Sequence, residues 1–160
     1  LIVVSDSSPV IALARIGRLE LLPKLYQQVL IPASVYRELQ HPHRRFPLDP
    51  DSWPWLVVRP VQDIGRVARL GQLDPGEAEA IILAVEVGAD VVLVDERKGR
   101  KAATDMGLRV LGVLGILAEA KRAGLIDRIE PVLDELIGRA DFWVAPELRA
   151  SVLREAGESG

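Results

Sequence analysis

"VVLVDERKGRK", residues 91–101, runs four apolar β-formers straight into an acid pair and then a basic cluster. A short strand that is apolar without alternation belongs to a sheet covered on both faces, which is the habit of parallel sheets flanked by helices. A carboxylate at the end of such a strand must reach water or a partner, because an unpaired buried charge is costly. In open parallel sheets the functional crevice lies beyond the carboxyl ends of the strands, where the direction of chain progression reverses. The strand is therefore expected to deliver Asp95 into a cleft that requires negative charge.

Outward from this stretch the chain alternates strands with helices. "LIVVS" at 1–5 is a second continuous apolar run, and it too ends in an acid, Asp6. After it Ser8 is placed to cap a helix beginning at Pro9 and closed by Gly17. A short helix is predicted over 19–25, a strand in "QVLIP", and a helix in "ASVYRELQ" that is opened by Pro32 and stopped near Pro42. Residues 41–56 carry four prolines and two tryptophans, which marks a loop or lid rather than a domain boundary. Trp53 and Trp55 are expected to cover core or lid, or to face a partner. "LVVRPV" adds an edge strand and "DIGRVARLGQL" a weak helix. "DPGEAEAIILAVEVG", 74–88, carries the clearest helix signals, with Asp74 as cap, Pro75 in the first turn and Gly88 as terminator. A basic helix over 97–106 closed by Gly107, a strand in "LRVLG", and helices near 113–123, 129–138 and 146–156 follow. "EAGESG" at 155–160 is expected to fray. The pattern predicts an α/β fold of three layers, α/β/α, around a central parallel sheet. A single domain would span 1–160, with the helices from about 125 packing on it or forming an oligomer interface.

Composition narrows the chemistry. The 160 residues include no cysteine, which excludes disulfides, thiolate zinc sites and cysteine nucleophiles. No apolar run approaches the roughly 18 to 20 residues a bilayer requires, and the start lacks signal-peptide features. A soluble, cytoplasmic protein with no membrane association is expected, its opening strand close to the native beginning although the first residue is Leu1. A net charge of −3 offers no global attraction to a polyanion, so such a partner must be held by local patches or by metal. "GVLG" at 112–115 lacks the spacing of a dinucleotide site or a P-loop, and no serine, histidine and acid stand in context for acyl transfer. His41 and His43 are read as an incidental pair.

Acids collect around the predicted cleft. If the two acid-ending strands are central and parallel, Asp6 and Asp95 converge at one sheet edge. At 100° per residue Glu77 shares a helix stripe with Ala80, Ile81 and Ala84, whereas Glu79 shares one with Glu86 and both are expected to be solvated. Two readings of Glu77 stand: a carboxylate pointing into the cleft, and the reciprocal partner of Asp74 in a capping box. Glu38 lies at the edge of the stripe set by Val35 and Leu39. A solvated flank is its ordinary reading, and only its company raises it. Carboxylates gathered without a basic partner repel one another unless a hard cation neutralises them, and oxygen-only ligation suits magnesium or manganese. The implied reaction class is metal-assisted phosphoryl hydrolysis.

The segments "VVSDSSPVIALARIG", "IPASVYRELQ", "GEAEAIILA" and "VVLVDERKGRKAA" stand in the order of the motifs of the PIN-domain family, which the sequence resembles. That family comprises metal-dependent ribonucleases and includes VapC-type toxins. The resemblance covers roughly 1–125, and "GILAEAKRAGLI" extends it toward a prokaryotic PIN-like branch. It implies that Asp6, Glu77 and Asp95 hold magnesium or manganese, with Glu38 joining directly or through water, and that these four are the catalytic set of an RNA-hydrolysing endoribonuclease. Ser7 matches the small hydroxyl residue beside the first aspartate. The sequence departs from the family pattern in two places. Glu77 stands where many PIN domains have aspartate, and "VDER" lacks the hydroxyl residue before its aspartate, which makes Glu96 a candidate to share or replace the role of Asp95. Arg97, Lys98, Arg100 and Lys101 would hold flanking phosphates, with an ordinary solvated helix face as the other reading. No aromatic residue accompanies them in sequence, so base stacking is not expected. The resemblance further implies an antitoxin protein that occludes the cleft, and a homodimer. The alternative function is a catalytically impaired PIN-like module that binds RNA or a protein.

Overall fold

A computed structural model of the chain describes residues 1–41 and 47–158. Its sheet consists of β1 (Val3–Ser5), β2 (Val29–Ile31), β3 (Leu56–Val58), β4 (Val91–Leu93) and β5 (Val110–Leu111), in the order β3-β2-β1-β4-β5. Every pairing is parallel, with Val4 opposite Leu30 on one side and Val92 on the other. From central β1 the chain winds out to β2 and β3, then returns to the other flank for β4 and β5. The reversal falls between β1 and β4, so their carboxyl ends open the crevice expected at a switch point. The Asp6 N–H donates to the Leu93 carbonyl at 2.9 Å and ties the two strands together there.

Among the described residues the helices are α1 (Ser7–Arg15), α2 (Leu21–Tyr26), α3 (Ala33–Leu39), α4 (Ile64–Ala68), α5 (Pro75–Val87), α6 (Arg97–Asp105), α7 (Val113–Arg122), α8 (Ile129–Arg139) and α9 (Pro146–Glu155). Strand side chains alternate between faces. Val3, Ile31 and Leu93 meet Leu13 of α1, Ile116 and Leu117 of α7, and Leu133 of α8 on one side. Val4, Leu30 and Val92 meet Ile81 and Ala84 of α5 and Ala103 of α6 on the other. Both faces of the central strands are therefore dry, at about 1.5–3 kcal/mol for each large apolar side chain fully buried. This is the predicted three-layer α/β/α arrangement.

Several local expectations need correction. Helix α1 starts at Ser7 rather than Pro9. Asp6 occupies the cap position without a side-chain cap bond, its carboxylate lying beside those of Glu38 and Asp74 instead, and Ser8 is exposed. Glu79 and Glu86 are not simply solvated, since loop N–H groups need acceptors. Glu79 takes the Ser34 N–H and hydroxyl at 3.1 and 2.6 Å, and Glu86 takes the N–H groups of Gln62 and Asp63 at 2.9 and 2.7 Å. The tail does not fray up to 158. Glu158 is buried and accepts from the N–H groups of Ile129 and Glu130 at 2.7 and 3.0 Å and from Lys121 Nζ at 2.9 Å. It thereby supplies the acceptor that the first turn of α8 lacks. Burial alone would raise the Glu158 carboxyl, but these donors outweigh it and hold it at about 2.

Trp53 and Trp55 stack with centroids 5.6 Å apart and cover the first core face. Helix α8 buries Ile129, Val132, Leu133 and Leu136 and so completes the core, and α9 joins through Leu153. Pro42 as helix stop, and His43 of the histidine pair, lie outside the described residues. No helix among the described residues is long and apolar enough to cross a membrane.

Candidate metal centre

Asp6 leaves the end of β1, Glu38 lies in the last turn of α3, and Asp74 stands at the head of α5. One carboxylate oxygen from each of these three lies within 4.8 Å of the others. The Ser7 hydroxyl donates to Glu38 Oε2 at 2.6 Å and steers it toward Asp6. Asp74 was read from sequence as a cap alone. It does cap, accepting the Glu77 N–H on Oδ1 at 2.8 Å, but that bond engages only one of its two oxygens.

Glu77 and Asp95 flank this trio and do not share its 4.8 Å grouping. The capping-box reading of Glu77 holds, and one of its oxygens is left over. Its Oε1 accepts the Asp74 N–H at 3.4 Å, completing the capping box, while the residue is only 3% exposed and its Oε2 is buried without a hydrogen-bond partner. Asp95 Oδ1 accepts the Val113 N–H at 2.8 Å. Its Oδ2 and Asp6 Oδ1 are also buried without partners. Leaving a buried polar oxygen unsatisfied costs about 1–3 kcal/mol, more if charged, so three of them, on residues whose charges act on one another through Asp6, suit a bound cation. The acidic cluster has the hard oxygen donors that a divalent metal requires.

Three glycines, which sequence reading passed over, make room for these carboxylates. A Cβ on Gly76 would run into Glu38 Oε1 and come within 3.4 Å of Asp6 Oδ1. One on Gly99 would lie 2.7 Å from Glu77 Oε2, and one on Gly112 2.6 Å from Asp95 Oδ1. Their usable signal was position, since Gly76 follows a cap and Gly112 directly follows a strand.

The electrostatics match the crowding. Burial pushes the Asp6 carboxyl up to about 7; the Ser7 N–H opposes the rise, while the charges of Asp74, Glu38 and Asp95 add to it. Burial likewise holds Glu77 well above the usual carboxylate range, with Asp74 and Asp6 contributing. Asp95 is raised by burial and lowered by the Val113 N–H and by the Arg100 charge.

The remaining candidates separate. Glu96 is exposed at the cap position of α6 and makes no side-chain cap bond; with Asp95 it borders a cavity of about 370 Å³. Arg97, Lys98, Arg100 and Lys101 are all exposed. Lys101 pairs with Asp105 at 2.8 Å, and Arg100 is the one whose charge acts on Asp95. No aromatic residue stands beside this group in sequence, but in space Trp143 lines the same cavity as Arg100 and Asp95. Forty-two residues separate Lys101 from Trp143, beyond any local sequence signal.

No curated protein matches the chain. A family model, DUF3368, described as a PIN domain, matches residues 2–158. PIN domains are generally nucleases and typically use divalent metals, the chemistry that a buried carboxylate cluster at a sheet's switch point serves. With nearly its whole length matched and its acids gathered in that crevice, the chain belongs to the PIN-domain family.

Proposed function

We propose that the chain is a metal-dependent endoribonuclease, one PIN domain acting as the toxin-like component of a toxin–antitoxin pair in the cytoplasm. The observation that carries this reading is the meeting of Asp6, Glu38 and Asp74 within 4.8 Å beside the unpartnered oxygens of Glu77 and Asp95. These five residues would hold magnesium or manganese, with Asp6 at the centre because its carboxyl senses Asp74, Glu38 and Asp95 together. A divalent cation supplies Lewis-acid polarisation of a phosphoryl oxygen and a more acidic water.

The chain's own residues do the rest. The Ser7 hydroxyl orients Glu38, and the Val113 N–H fixes one oxygen of Asp95 while the other is buried without a partner. The capping box sets the positions of Asp74 and Glu77. Arg100, with Arg97 and Lys98 on the exposed start of α6, supplies the local positive charge that flanking phosphates need. An antitoxin would act by covering this acidic crevice, and pairing of two copies would leave it open.

The test is isothermal titration of metal-stripped protein with manganese, comparing wild type with Asp6→Asn and Asp95→Asn, followed by cleavage of end-labelled RNA. Binding that is lost or weakened in both variants, together with manganese-dependent cleavage, is expected. Wild-type protein that takes up no manganese at millimolar concentration, or takes it up and cuts no RNA, would instead favour the impaired binding module.

A further inference from the structure

We infer that the cavity between β5, α7 and the segment 141–145 is a subsite for an unpaired nucleobase of the RNA strand cut at the carboxylate cluster, with Trp143 as its stacking platform. This inference rests on the ribonuclease reading above and adds where the neighbouring base goes.

The cavity measures about 410 Å³ and is lined by Asp95, Arg100, Leu111, Leu114, Asp141 and Trp143 among others. Asp95 lines this cavity and its charge also acts on Asp6, so an occupant would lie near the acidic cluster. Trp143 is 81% exposed, while its neighbours Phe142 and Val144 turn inward and pack on the core. An indole so exposed, between two neighbours that pack inward, offers an open aromatic face at the cavity. The segment is nonetheless anchored. The Phe142 N–H donates to the Leu136 carbonyl at 3.2 Å, and Arg15 Nη1 donates to the Ala140 carbonyl at 3.3 Å. The indole is thus presented from a fixed base.

The chemistry selects a nucleotide. An aromatic platform and apolar walls suit the face of a base, and a guanidinium beside them suits its phosphate, the combination used for sequence-tolerant binding of single strands. Arg100 forms no ion pair among the described residues, and Arg97, one helical turn before it, is likewise unpaired there. The cavity's own lining holds two acids, Asp95 and Asp141, beside Arg100, so the phosphate contact is assigned to the Arg100 guanidinium in particular, with exposed Arg97 one turn before it.

The experiment measures fluorescence anisotropy of a labelled single-stranded RNA hexamer with magnesium, in an Asp6→Asn background so that the probe stays intact. It compares Trp143, Trp143→Phe and Trp143→Ala, and repeats each with a hexamer of abasic nucleotides. Trp143→Ala is expected to weaken binding of the intact hexamer roughly 5- to 150-fold, with phenylalanine restoring most of it. The abasic probe should be indifferent to the substitution. Cleavage by otherwise wild-type protein should show the loss mainly in KM. Unchanged binding in Trp143→Ala, with cleavage intact, overturns the subsite and leaves the nuclease reading standing. Unchanged RNA binding with an altered oligomeric state on size exclusion overturns it in favour of an interface between copies. If wild-type protein cuts no RNA, the nuclease reading itself fails.

Discussion

Raising the pH of metal-free protein from about 5 to about 9 is expected to destabilise it, and manganese is expected to restore the loss. The Asp6 carboxyl ordinarily titrates at 3.8, but burial, reinforced by the nearby acids, moves it to about 7 in the folded chain. Between those values the folded state keeps a proton that the unfolded chain has released. Stability therefore falls as pH rises through this window, and the contribution is gone above the folded value. Of that window about two pH units, from about 5 to about 7, fall inside the scan, which at roughly 1.4 kcal/mol each is on the order of 3 kcal/mol. Asp6 is only 2% exposed, so solvent screens little of this. Glu77 and Asp95 are raised in the same direction. For a chain of this length, about 2–4 °C per kcal/mol converts the Asp6 contribution over this range to a fall in melting temperature of roughly 6–12 °C. A cation that binds only the folded, ionised cluster reverses the fall, by about 2.7 kcal/mol at a hundredfold excess over Kd. Differential scanning calorimetry at fixed ionic strength, with chelator and then with manganese, reads all of this. Asp6→Asn should flatten the metal-free pH profile and abolish most of the manganese response. A metal-free melting temperature that stays level or climbs toward pH 9 would refute the reasoning, as would an Asp6→Asn variant that keeps the wild-type slope.

Two further substitutions test the surroundings of the site. Gly76→Ala replaces a helix-weakening residue near the start of α5, a change worth about 0.5–1 kcal/mol in favour of the fold, but its Cβ displaces Glu38. The expected outcome is an unchanged or higher melting temperature with manganese affinity and RNA cleavage reduced at least about tenfold; titration and cleavage assays that match wild type would show that Glu38 is not needed where it stands. Glu158→Ala removes the acceptor for the Ile129 and Glu130 N–H groups and the partner of Lys121. It should cost about 1–3 kcal/mol in urea unfolding and leave manganese binding unaltered; wild-type stability would mean that α8 is capped by other means.

The fold was legible because its signals are local. A continuous apolar run reports burial on both faces, and β1, β2 and β4 each show one. "DPGE" and Gly88 report the ends of α5 through hydrogen bonds that close within a few residues, and both ends stand where they were read. The strand-end acids followed from the same logic, since a parallel sheet sends successive carboxyl ends to one edge. What escaped reading depends on contacts across the chain. Glu158 meets α8 from 28 and 29 residues away, and Trp143 reaches the wall of the Asp95 cavity through the turn after α8. No periodicity encodes either meeting. The start of α1 differs for a related reason, because the Asp6 carboxylate lies beside Glu38 and Asp74, far along the chain, and leaves its cap unmade.

The head of α5 shows why structural and chemical readings of one residue need not compete. In the capping box Asp74 engages Oδ1 and Glu77 engages Oε1, and each carboxylate has a second oxygen. The box fixes the torsions of both side chains, so these second oxygens are held at the crevice by the bonds that start the helix. For Glu77 the second oxygen is the buried, unpartnered Oε2, and Gly99 leaves the space it occupies. Helix stability thus contributes the rigidity that a metal centre asks of its supporting shell. The cost is a cluster of like charges around Asp6, which the fold tolerates because packing of α3 and α5 on the sheet holds their carboxylates together whether or not they are ionised.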